Sequence, residues 1–385
     1  MDWHLECSSC AKTSTAEGLP TVCECGQPWL VRYDDRRHGQ PPAAGSGTGM
    51  WRWESFLPLE PGEQAVTLGE GDTPLLQVPR LAGWLGMPNV LVKDESVNPT
   101  GSFKARGLSA AITRAALAGA KGFTLPTAGN AGVAAAAYGA RAGLPVRVYA
   151  PKTTPAPLLS QIAAFGADLQ LLDGHIGDCG RASRAFAAET GAFDLSTLRE
   201  PYRIEGKKTL GLELAEALEW SLPDAIIYPT GGGTGLIGMW KAFQELHAAG
   251  WVSGHLPRMF TVQAEGCAPV VRAFDAGADR AVPWENPWTV ASGLRVPGPL
   301  GDRVMLRVLR ESKGGAVSVS DAELVEAARA GTRLEGLDFA PEGGAAIVAA
   351  RKLCERGVLD RHQLIVLFNT GAGWLYRDPS ELLPA

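Results

Sequence analysis

A lysine stands at the start of a predicted helix, in the segment Asn98-Pro99-Thr100-Gly101-Ser102-Phe103-Lys104-Ala105-Arg106-Gly107. The apolar run Val90–Lys93 precedes the segment, and residues with helical spacing follow it to about Ala118. The Asn-Pro and Thr-Gly pairs predict a rigid turn. Packing around such a turn can desolvate the lysine, and a neutral lysine forms Schiff bases. The alternative is a solvated lysine in the first turn of a helix, where its charge opposes the helix dipole.

Two loops in the sequence are suited to anions, and the first is Pro126-Thr127-Ala128-Gly129-Asn130-Ala131-Gly132. It lies between a predicted strand and an alanine-rich helix. Small residues let backbone N–H groups approach an anion, and the helix dipole favours it. We expect a carboxylate there, with further donors from the Thr127 hydroxyl and the Asn130 amide. The alternative is a helix cap whose small residues allow close packing.

The second loop is Pro229-Thr230-Gly231-Gly232-Gly233-Thr234-Gly235-Leu236-Ile237-Gly238. Its glycines can surround a phosphate with main-chain donors. The Lys-Ser/Thr pair of a P-loop is missing, which argues against a nucleoside triphosphate. The spacing Gly233-x-Gly235-x-x-Gly238 also matches a dinucleotide fingerprint, with Glu265 where a ribose-binding acid would stand. A tight strand-to-helix turn without a ligand is the structural alternative.

A threonine follows the last predicted strand, in Asn369-Thr370-Gly371-Ala372-Gly373. The carboxyl end of a strand in an α/β sheet is where ligands bind. The Thr370 hydroxyl can hydrogen-bond a heteroaromatic nitrogen there without protonating it. An ordinary turn threonine is the alternative.

Four of the seven cysteines lie within the first 25 residues, as Cys7-x-x-Cys10 and Cys23-x-Cys25. Four thiolates in two close pairs can bind zinc tetrahedrally, and Gly26 permits the tight turn that such a site needs. The sequence therefore predicts a structural zinc site, with free thiols in a metal-free ribbon as the alternative.

The elements that must position these residues alternate between strand and helix. Predicted strands are Gly122–Pro126, Val146–Ala150, Asp168–Leu172, Ala225–Tyr228, Phe260–Ala264 and Leu364–Phe368. Predicted helices are Ala131–Ala142, Gly177–Glu189, Lys207–Trp220, Leu236–Ala249 and Ala322–Leu334. This alternation predicts an α/β fold with open, mostly parallel sheets flanked by helices. The Gly/Pro/Ser-rich stretch Gln40–Gly49 predicts a linker after the cysteine-bearing module.

The composition is that of a globular protein of 385 residues, with 45% hydrophobic residues and a net charge of −5. Such a charge argues against nucleic acid or an anionic membrane as a partner. The sequence shows no signal-peptide pattern and no apolar run of membrane-spanning length. We therefore expect a cytoplasmic protein that acts on a small molecule.

Together these segments resemble the pyridoxal-phosphate enzymes of the tryptophan-synthase β-like fold (fold type II), and among them the threonine synthases. The resemblance covers residues 5 to 378 and includes a zinc-ribbon-like start closed by Tyr33-Asp34. It also includes Arg203-Ile204-Glu205-Gly206-Lys207-Lys208-Thr209, where simple dehydratases carry a different sequence. It implies a module at 1–36, a large pyridoxal-phosphate domain at 37–108 and 200–385, and a small α/β domain at 109–199.

The resemblance also implies roles for single residues. Lys104 would join the cofactor aldehyde as the catalytic residue, Asn130 would stand beside the phenolic oxygen of the pyridine ring, and Thr370 would meet the ring nitrogen. The cofactor phosphate would be bound by Gly231, Gly232, Gly233, Thr234 and Gly235. Substrate would be bound by Thr127, Ala128, Gly129 and Ala131 at its carboxylate, with Arg106, Arg203 and Lys207 as candidate cations for a substrate phosphate.

The implied reaction converts O-phosphohomoserine and water to threonine and phosphate, in a homodimer. Lys104 would remove the α proton, its pKa being lowered by burial. Two departures bear on the substrate: Ala105 replaces a common Asp, and Gly373-Trp374-Leu375 lacks a frequent lysine. The alternatives are β-elimination or β-replacement on serine-, threonine- or cysteine-like amino acids, or, in another class, a nicotinamide oxidoreductase or a catalytically silent ligand-binding homologue.

Overall fold

The computed structural model describes residues 2–33, 41 and 47–377. Most of the predicted linker at 40–49, the residue Asp34 and the predicted module boundary at 36 lie outside the described residues. In the parts of the chain that the structure describes, none of the helices is long and apolar enough to cross a bilayer.

The described chain contains thirteen strands and eleven α-helices. The strands are β1 (Trp3–Cys7), β2 (Thr13–Thr15), β3 (Trp29–Tyr33), β4 (Leu75–Gln77), β5 (Val90–Asp94), β6 (Phe123–Pro126), β7 (Val146–Pro151), β8 (Asp168–Leu172), β9 (Phe193–Asp194), β10 (Ala225–Pro229), β11 (Arg258–Ala264), β12 (Gly315–Val319) and β13 (Ile365–Asn369). The helices are α1 (Pro79–Leu85), α2 (Lys104–Leu117), α3 (Asn130–Ala142), α4 (Ala156–Ala164), α5 (Ile176–Thr190), α6 (Tyr202–Ala217), α7 (Thr234–Ala248), α8 (Pro269–Asp275), α9 (Asp302–Glu311), α10 (Asp321–Glu335) and α11 (Pro341–Glu355). Short 3₁₀ helices are Met50–Phe56, Glu95–Val97, Ser292–Leu294 and Gly373–Leu375.

Two open sheets form the α/β part of the molecule and confirm the predicted fold class. The larger has the order β12-β11-β10-β13-β5-β4 and is parallel except for β4, which pairs antiparallel with β5. The smaller has the order β8-β7-β6-β9 and is parallel throughout. Strands β10 and β13 are buried along their whole length because helices cover both faces.

The N-terminal module is an antiparallel sheet with the order β2-β1-β3. In β1, Trp3, Leu5 and Cys7 are buried and alternate with half-buried residues, as expected for a strand with one face toward a core. Trp3 and Leu5 belong to the same apolar cluster as residues of α2 and β6, so the module packs against the α/β part of the molecule.

All six predicted strands are confirmed to within two residues at either end, but helix α6 starts five residues before its predicted position. The cause is Glu200, whose carboxylate accepts the N–H groups of Tyr202 at 2.7 Å and Arg203 at 3.0 Å. These bonds satisfy first-turn donors that a helix leaves free. At the other end, Glu219 and Trp220 have positive φ, so the chain has left the helix there.

The strands of the larger sheet come from 75–94 and 225–369, and those of the smaller sheet from 123–194. The predicted boundary at 108 falls inside α2, which carries Lys104 at its first position. The division into a large and a small domain stays a prediction.

Candidate active site

A cavity of about 660 Å³ is lined by residues that follow the carboxyl ends of β6, β10 and β13. The structure brings most of the predicted site residues together here: Lys104, Thr127, Ala128, Gly129, Asn130, Ala131, Arg203, Gly231, Gly232, Gly233, Thr234, Gly235 and Thr370. Segments far apart in sequence therefore meet in one place, at the strand ends where α/β sheets bind ligands.

Lys104 is half-buried and its Nζ lies 3.9 Å from the centre of the Phe103 ring. The turn before it is held by the C-terminal segment, since the N–H of Phe103 donates to the carbonyl of Thr370 at 3.1 Å. Burial first, and then the charge of Arg203, lower the pKa of Lys104 to about 7, while Glu342 opposes this shift. Lys104 is therefore a desolvated amine that can be neutral near pH 7, not the solvated lysine of the alternative interpretation.

The loop after β6 is organised by Thr127. Its Oγ1 accepts the N–H groups of Gly129 and Gly132, both at 2.9 Å, and donates to the carbonyl of Gly129 at 3.1 Å. Gly129 has φ +133°, and a Cβ there would lie 2.3 Å from a methyl group of Leu158. The Thr127 hydroxyl thus shapes the loop, and an anion would meet the N-terminal dipole of α3.

The glycine loop after β10 is enclosed by neighbouring groups. A Cβ added at Gly231 would lie 2.2 Å from the carbonyl oxygen of Gly293. One at Gly232 would lie 2.7 Å from the methyl group of Thr197, and one at Gly233 would lie 2.2 Å from the sulfur of Met305. The loop leads into α7, whose N-terminus has no side-chain cap. Bare backbone at an uncapped helix start is a site for phosphate.

Thr370 directly follows β13, is 5% exposed and lines the cavity, so the residue lies at a strand end beside Lys104 as expected. Glu265, the acid of the dinucleotide alternative, is exposed and is not among the residues that line the cavity.

Sequence reasoning missed a chain of hydrogen bonds that starts at Asn130. The Nδ2 of Asn130 donates to the hydroxyl of Tyr376 at 2.9 Å, and this hydroxyl donates to Oε1 of Glu342 at 2.9 Å. The N–H of Gly293 donates to the same carboxylate oxygen at 2.8 Å. Oδ1 of Asn130 and Oε2 of Glu342 are buried without a partner, and burial raises the pKa of Glu342. In the sequence, Glu342 only follows Pro341 at a helix start, where an acid has an ordinary role.

An arginine cluster, made of Arg181, Arg184, Arg199 and Arg203, lines another part of the cavity. Among the described residues, no carboxylate forms an ion pair with Arg184, Arg199 or Arg203, whereas Arg181 pairs with Asp178. Arg203 is 1% exposed, donates to the carbonyl of Leu195 at 2.8 Å and has a buried Nε without a partner. Burial, and then the charge of Arg199, lower the pKa of Arg184. The charges of Glu200 and Asp194 oppose the lowering of the pKa of Arg203 by burial. The four guanidinium groups still leave a surplus of positive charge at the cavity, which can attract an anion. Arg203 was predicted from the family resemblance, but Arg181, Arg184 and Arg199 were not. The spacing of Arg181 and Arg184 on one helix face is the sequence signal that could have indicated two of them.

Arg106 and Lys207 do not line the cavity, so our expectation that they contact substrate is not supported. Arg106 is fully buried and donates two hydrogen bonds to each of two carboxylates. The bonds to Glu95 are 2.7 and 2.9 Å long, and those to Glu213 are 2.5 and 2.7 Å long. The Nζ of Lys207 donates to the carbonyl of Phe103. Both cations are used inside the protein, which the sequence alone could not show.

The four N-terminal cysteines converge as predicted. Their sulfur atoms all lie within 4.8 Å of one another, with 3.4 Å between Cys7 and Cys25 and 3.7 Å between Cys10 and Cys23. A tetrahedral zinc ion with bonds of about 2.3 Å places its sulfur ligands about 3.8 Å apart. The cluster therefore has the dimensions of a zinc site.

Comparison with solved structures supports the fold. Maize serine racemase superimposes with a TM-score of 0.69 at 22% identity, over 80% of this chain and 90% of that one. The T.th. threonine deaminase superimposes with a TM-score of 0.66 at 28% identity, over 80% of this chain and 93% of that one.

Sequence comparison identifies relatives over most of the chain. The threonine synthase of Methanosarcina acetivorans is 34% identical over 99% of this chain and 94% of its own length. The threonine synthase of Mycobacterium tuberculosis is 33% identical over 85% of this chain and 88% of its own length. A family model described as pyridoxal-phosphate dependent enzyme matches residues 66–371. Because this family model matches residues from both sheets, the chain belongs to the pyridoxal-phosphate dependent enzyme family.

Proposed function

We propose that this chain is a threonine synthase that converts O-phosphohomoserine and water to threonine and phosphate. The arginine cluster carries the proposal, because it lines the same cavity as Lys104 and the two loops that we predict to bind anions. The glycine loop after β10 accounts for the cofactor phosphate and the loop after β6 for a substrate carboxylate. The arginine cluster is a third site with a surplus of positive charge, and a phosphorylated amino acid would supply an anion for it. The names of the relatives point to the same activity.

The residues present fit pyridoxal phosphate. Lys104 offers an amine with a lowered pKa, Gly231–Gly235 offer backbone close to an uncapped helix start, and Thr370 offers a hydroxyl at a strand end. Asn130 has a buried amide oxygen without a partner. When bound, the cofactor would supply an electron sink for charge that develops on the substrate carbons.

The side chains around this site would move and hold protons and charge. Lys104, once neutral, can take a proton from a substrate carbon and return it. Arg203 and its neighbours would hold the distal phosphate and stabilise it as it leaves. Thr370 would hydrogen-bond the ring nitrogen without giving it a full proton, which disfavours transamination as a side reaction.

A substrate panel on the holoenzyme tests the proposal. With O-phosphohomoserine we expect inorganic phosphate and threonine in equal amounts, and little keto acid from serine or threonine. The double variant Arg184→Ala/Arg199→Ala should raise KM for O-phosphohomoserine far more than it changes cofactor affinity. Keto acid from serine or threonine, without phosphate release from O-phosphohomoserine, would instead identify a β-eliminating enzyme, as the likeness to a threonine deaminase at 28% identity would allow.

We further propose a structural zinc ion at Cys7, Cys10, Cys23 and Cys25, which the sulfur distances support. A homodimer and a cytoplasmic location are proposed on the family resemblance.

A further inference from the structure

Lys207 is a fully buried amine in a space left by two glycines. It belongs to α6 and is 0% exposed. A Cβ at Gly107 of α2 would lie 3.0 Å from Cε of Lys207, and one at Gly238 of α7 would lie 2.7 Å from its Cβ. Three helices therefore enclose this side chain, and two of them contribute a glycine at the contact.

Among the described residues this amine has no acidic partner, unlike the lysine next to it. Lys208 is also 0% exposed, but its Nζ lies 2.8 Å from Glu205 and 2.7 Å from Glu245. Across the described residues no carboxylate forms an ion pair with Lys207, and its Nζ donates to the carbonyl of Phe103. Burial lowers the pKa of Lys207 well below its ordinary value. A buried amine without a counter-charge costs free energy, which an apolar side chain of similar size would not.

The acceptor of this hydrogen bond is the residue directly before Lys104. Phe103 is the N-cap of α2, and its own N–H donates to the carbonyl of Thr370 at 3.1 Å. Its ring lies 3.9 Å from Nζ of Lys104 and 4.3 Å from Nζ of Lys207. The amide and the carbonyl of Phe103 are therefore both fixed, one by the segment of Thr370 and the other by Lys207.

We propose that Lys207 is a positioning residue for Lys104: its hydrogen bond to the Phe103 carbonyl fixes the first turn of α2 and so the direction in which Lys104 enters the cavity. The proposal rests on the proposed role of Lys104 as the cofactor-binding amine. A neutral donor suits this place, because a second ammonium group against the same ring would repel a charged Lys104.

Two substitutions separate the hydrogen bond from simple packing. Lys207→Met keeps the volume and removes the donor, whereas Lys207→Gln keeps an N–H donor without a charge. Mixing the apoenzyme with pyridoxal phosphate and following the visible absorbance gives the rate at which the lysine–cofactor adduct forms. We expect Lys207→Met to slow this step and to lower kcat by about ten- to a hundred-fold, with KM changed much less. Lys207→Gln should recover most of both.

Thermal unfolding of the apoproteins tests whether slower adduct formation and lower kcat reflect a loss of stability. Lys207→Met should unfold at or above the wild-type temperature, because an uncompensated buried amine is replaced by an apolar side chain. Lys208→Met is the matched control: it removes one partner from the buried Glu205 and one from the half-buried Glu245. It should lower the unfolding temperature, while the folded fraction forms the adduct at the wild-type rate.

Wild-type adduct formation in Lys207→Met would overturn the proposal, and so would a Lys207→Gln variant as slow as Lys207→Met. If Lys207→Met does not fold, Lys207→Gln decides alone, with near-wild-type rates in support and slow adduct formation against. Failure of the proposed function has a different signature, namely adduct formation that persists in Lys104→Ala.

Discussion

The side-chain amide of Asn130 donates a hydrogen bond of 2.9 Å to the hydroxyl of Tyr376, 246 residues away in sequence. Asn130 starts the helix that follows β6 of the smaller sheet, and Tyr376 follows β13 of the larger sheet. The same hydroxyl donates to Glu342 at the start of α11. One phenol therefore joins the two sheets at the cavity and fixes the orientation of the Asn130 amide.

Replacing Tyr376 by Phe should weaken cofactor binding without unfolding the protein. The change removes the hydrogen bonds of the hydroxyl to Asn130 and Glu342, each worth about 1 kcal/mol, whereas the N–H of Gly293 still donates to Oε1 of Glu342. We expect the Kd for pyridoxal phosphate to rise about ten-fold, as measured by equilibrium titration of the apoprotein. An unchanged Kd would show that the orientation of Asn130 does not matter for the cofactor.

The reactivity of Lys104 should rise with pH through about 7, the value to which its pKa is lowered. Below this pH the amine is protonated and not nucleophilic, and above it the rate of adduct formation should level off. An ordinary lysine would titrate near 10.5. Stopped-flow absorbance from pH 5 to pH 10 gives the midpoint, and a midpoint above pH 9 would contradict the desolvated environment of this amine.

Two substitutions should move this midpoint in opposite directions. The positive charge of Arg203 lowers the pKa of Lys104, so Arg203→Met should shift the midpoint to higher pH. The negative charge of Glu342 raises that pKa, so Glu342→Gln should shift the midpoint to lower pH. Shifts of the same sign in both variants would mean that general disturbance of the site, and not charge, controls Lys104.

Gly233→Ala should reduce cofactor affinity, and the positive φ of the residue alone should not account for this loss. Gly233 has φ +84°, and its Cβ would lie 2.2 Å from the sulfur of Met305. Gly254 is a matched control, because it has φ +89° and nothing within 4 Å of the position of a Cβ. Both variants should lose about 1 kcal/mol of stability from the backbone conformation, and Gly233→Ala should lose more because Met305 must move. Only Gly233→Ala should bind pyridoxal phosphate more weakly. Equal affinities in isothermal titration would remove the phosphate assignment from this loop.

Arg106→Met should destabilise the fold and not merely alter substrate binding. The substitution leaves Glu95 and Glu213 buried, and among the described residues Lys93, 2.9 Å from Glu213, is the cation that still forms an ion pair with one of them. Breaking such a buried network typically costs about 3–5 kcal/mol. Urea unfolding of the variant should show a loss of this size, and a variant that instead keeps its stability but shows a raised KM would restore Arg106 as a substrate ligand.

Removing zinc should destabilise the N-terminal module. The cysteine-bearing turn contacts α9, where Arg303 donates to Ser9 at 3.1 Å and Arg307 to the carbonyl of Ser8 at 3.3 Å. We expect one zinc per chain by elemental analysis, and a lower unfolding temperature after treatment with a strong chelator. Cys10→Ser should lose the metal and become insensitive to the chelator. Purified wild-type protein without metal, prepared without chelators, would contradict the zinc site.

Local sequence was sufficient for the fold class and for most of the candidate site. Six strands and five helices follow from runs of apolar residues, because such runs are set by the chain itself. Lys104, Thr370 and the two loops that we predict to bind anions lie together in one cavity. They could be predicted because glycine, proline and hydroxyl residues at strand ends act over a few neighbouring positions. The cysteine pairs were recognised because the two cysteines of each pair are close together in the sequence.

Which charges face the cavity was decided by the tertiary structure alone. Arg106 and Arg203 are both buried arginines, yet the first binds Glu95 and Glu213 and the second lines the cavity with an unpartnered nitrogen. Glu342 and Tyr376 reach Asn130 across more than 200 residues of sequence. A sequence determines which charges a chain carries, but their partners depend on distances between elements that are far apart along it, and these distances set desolvation, pKa and function.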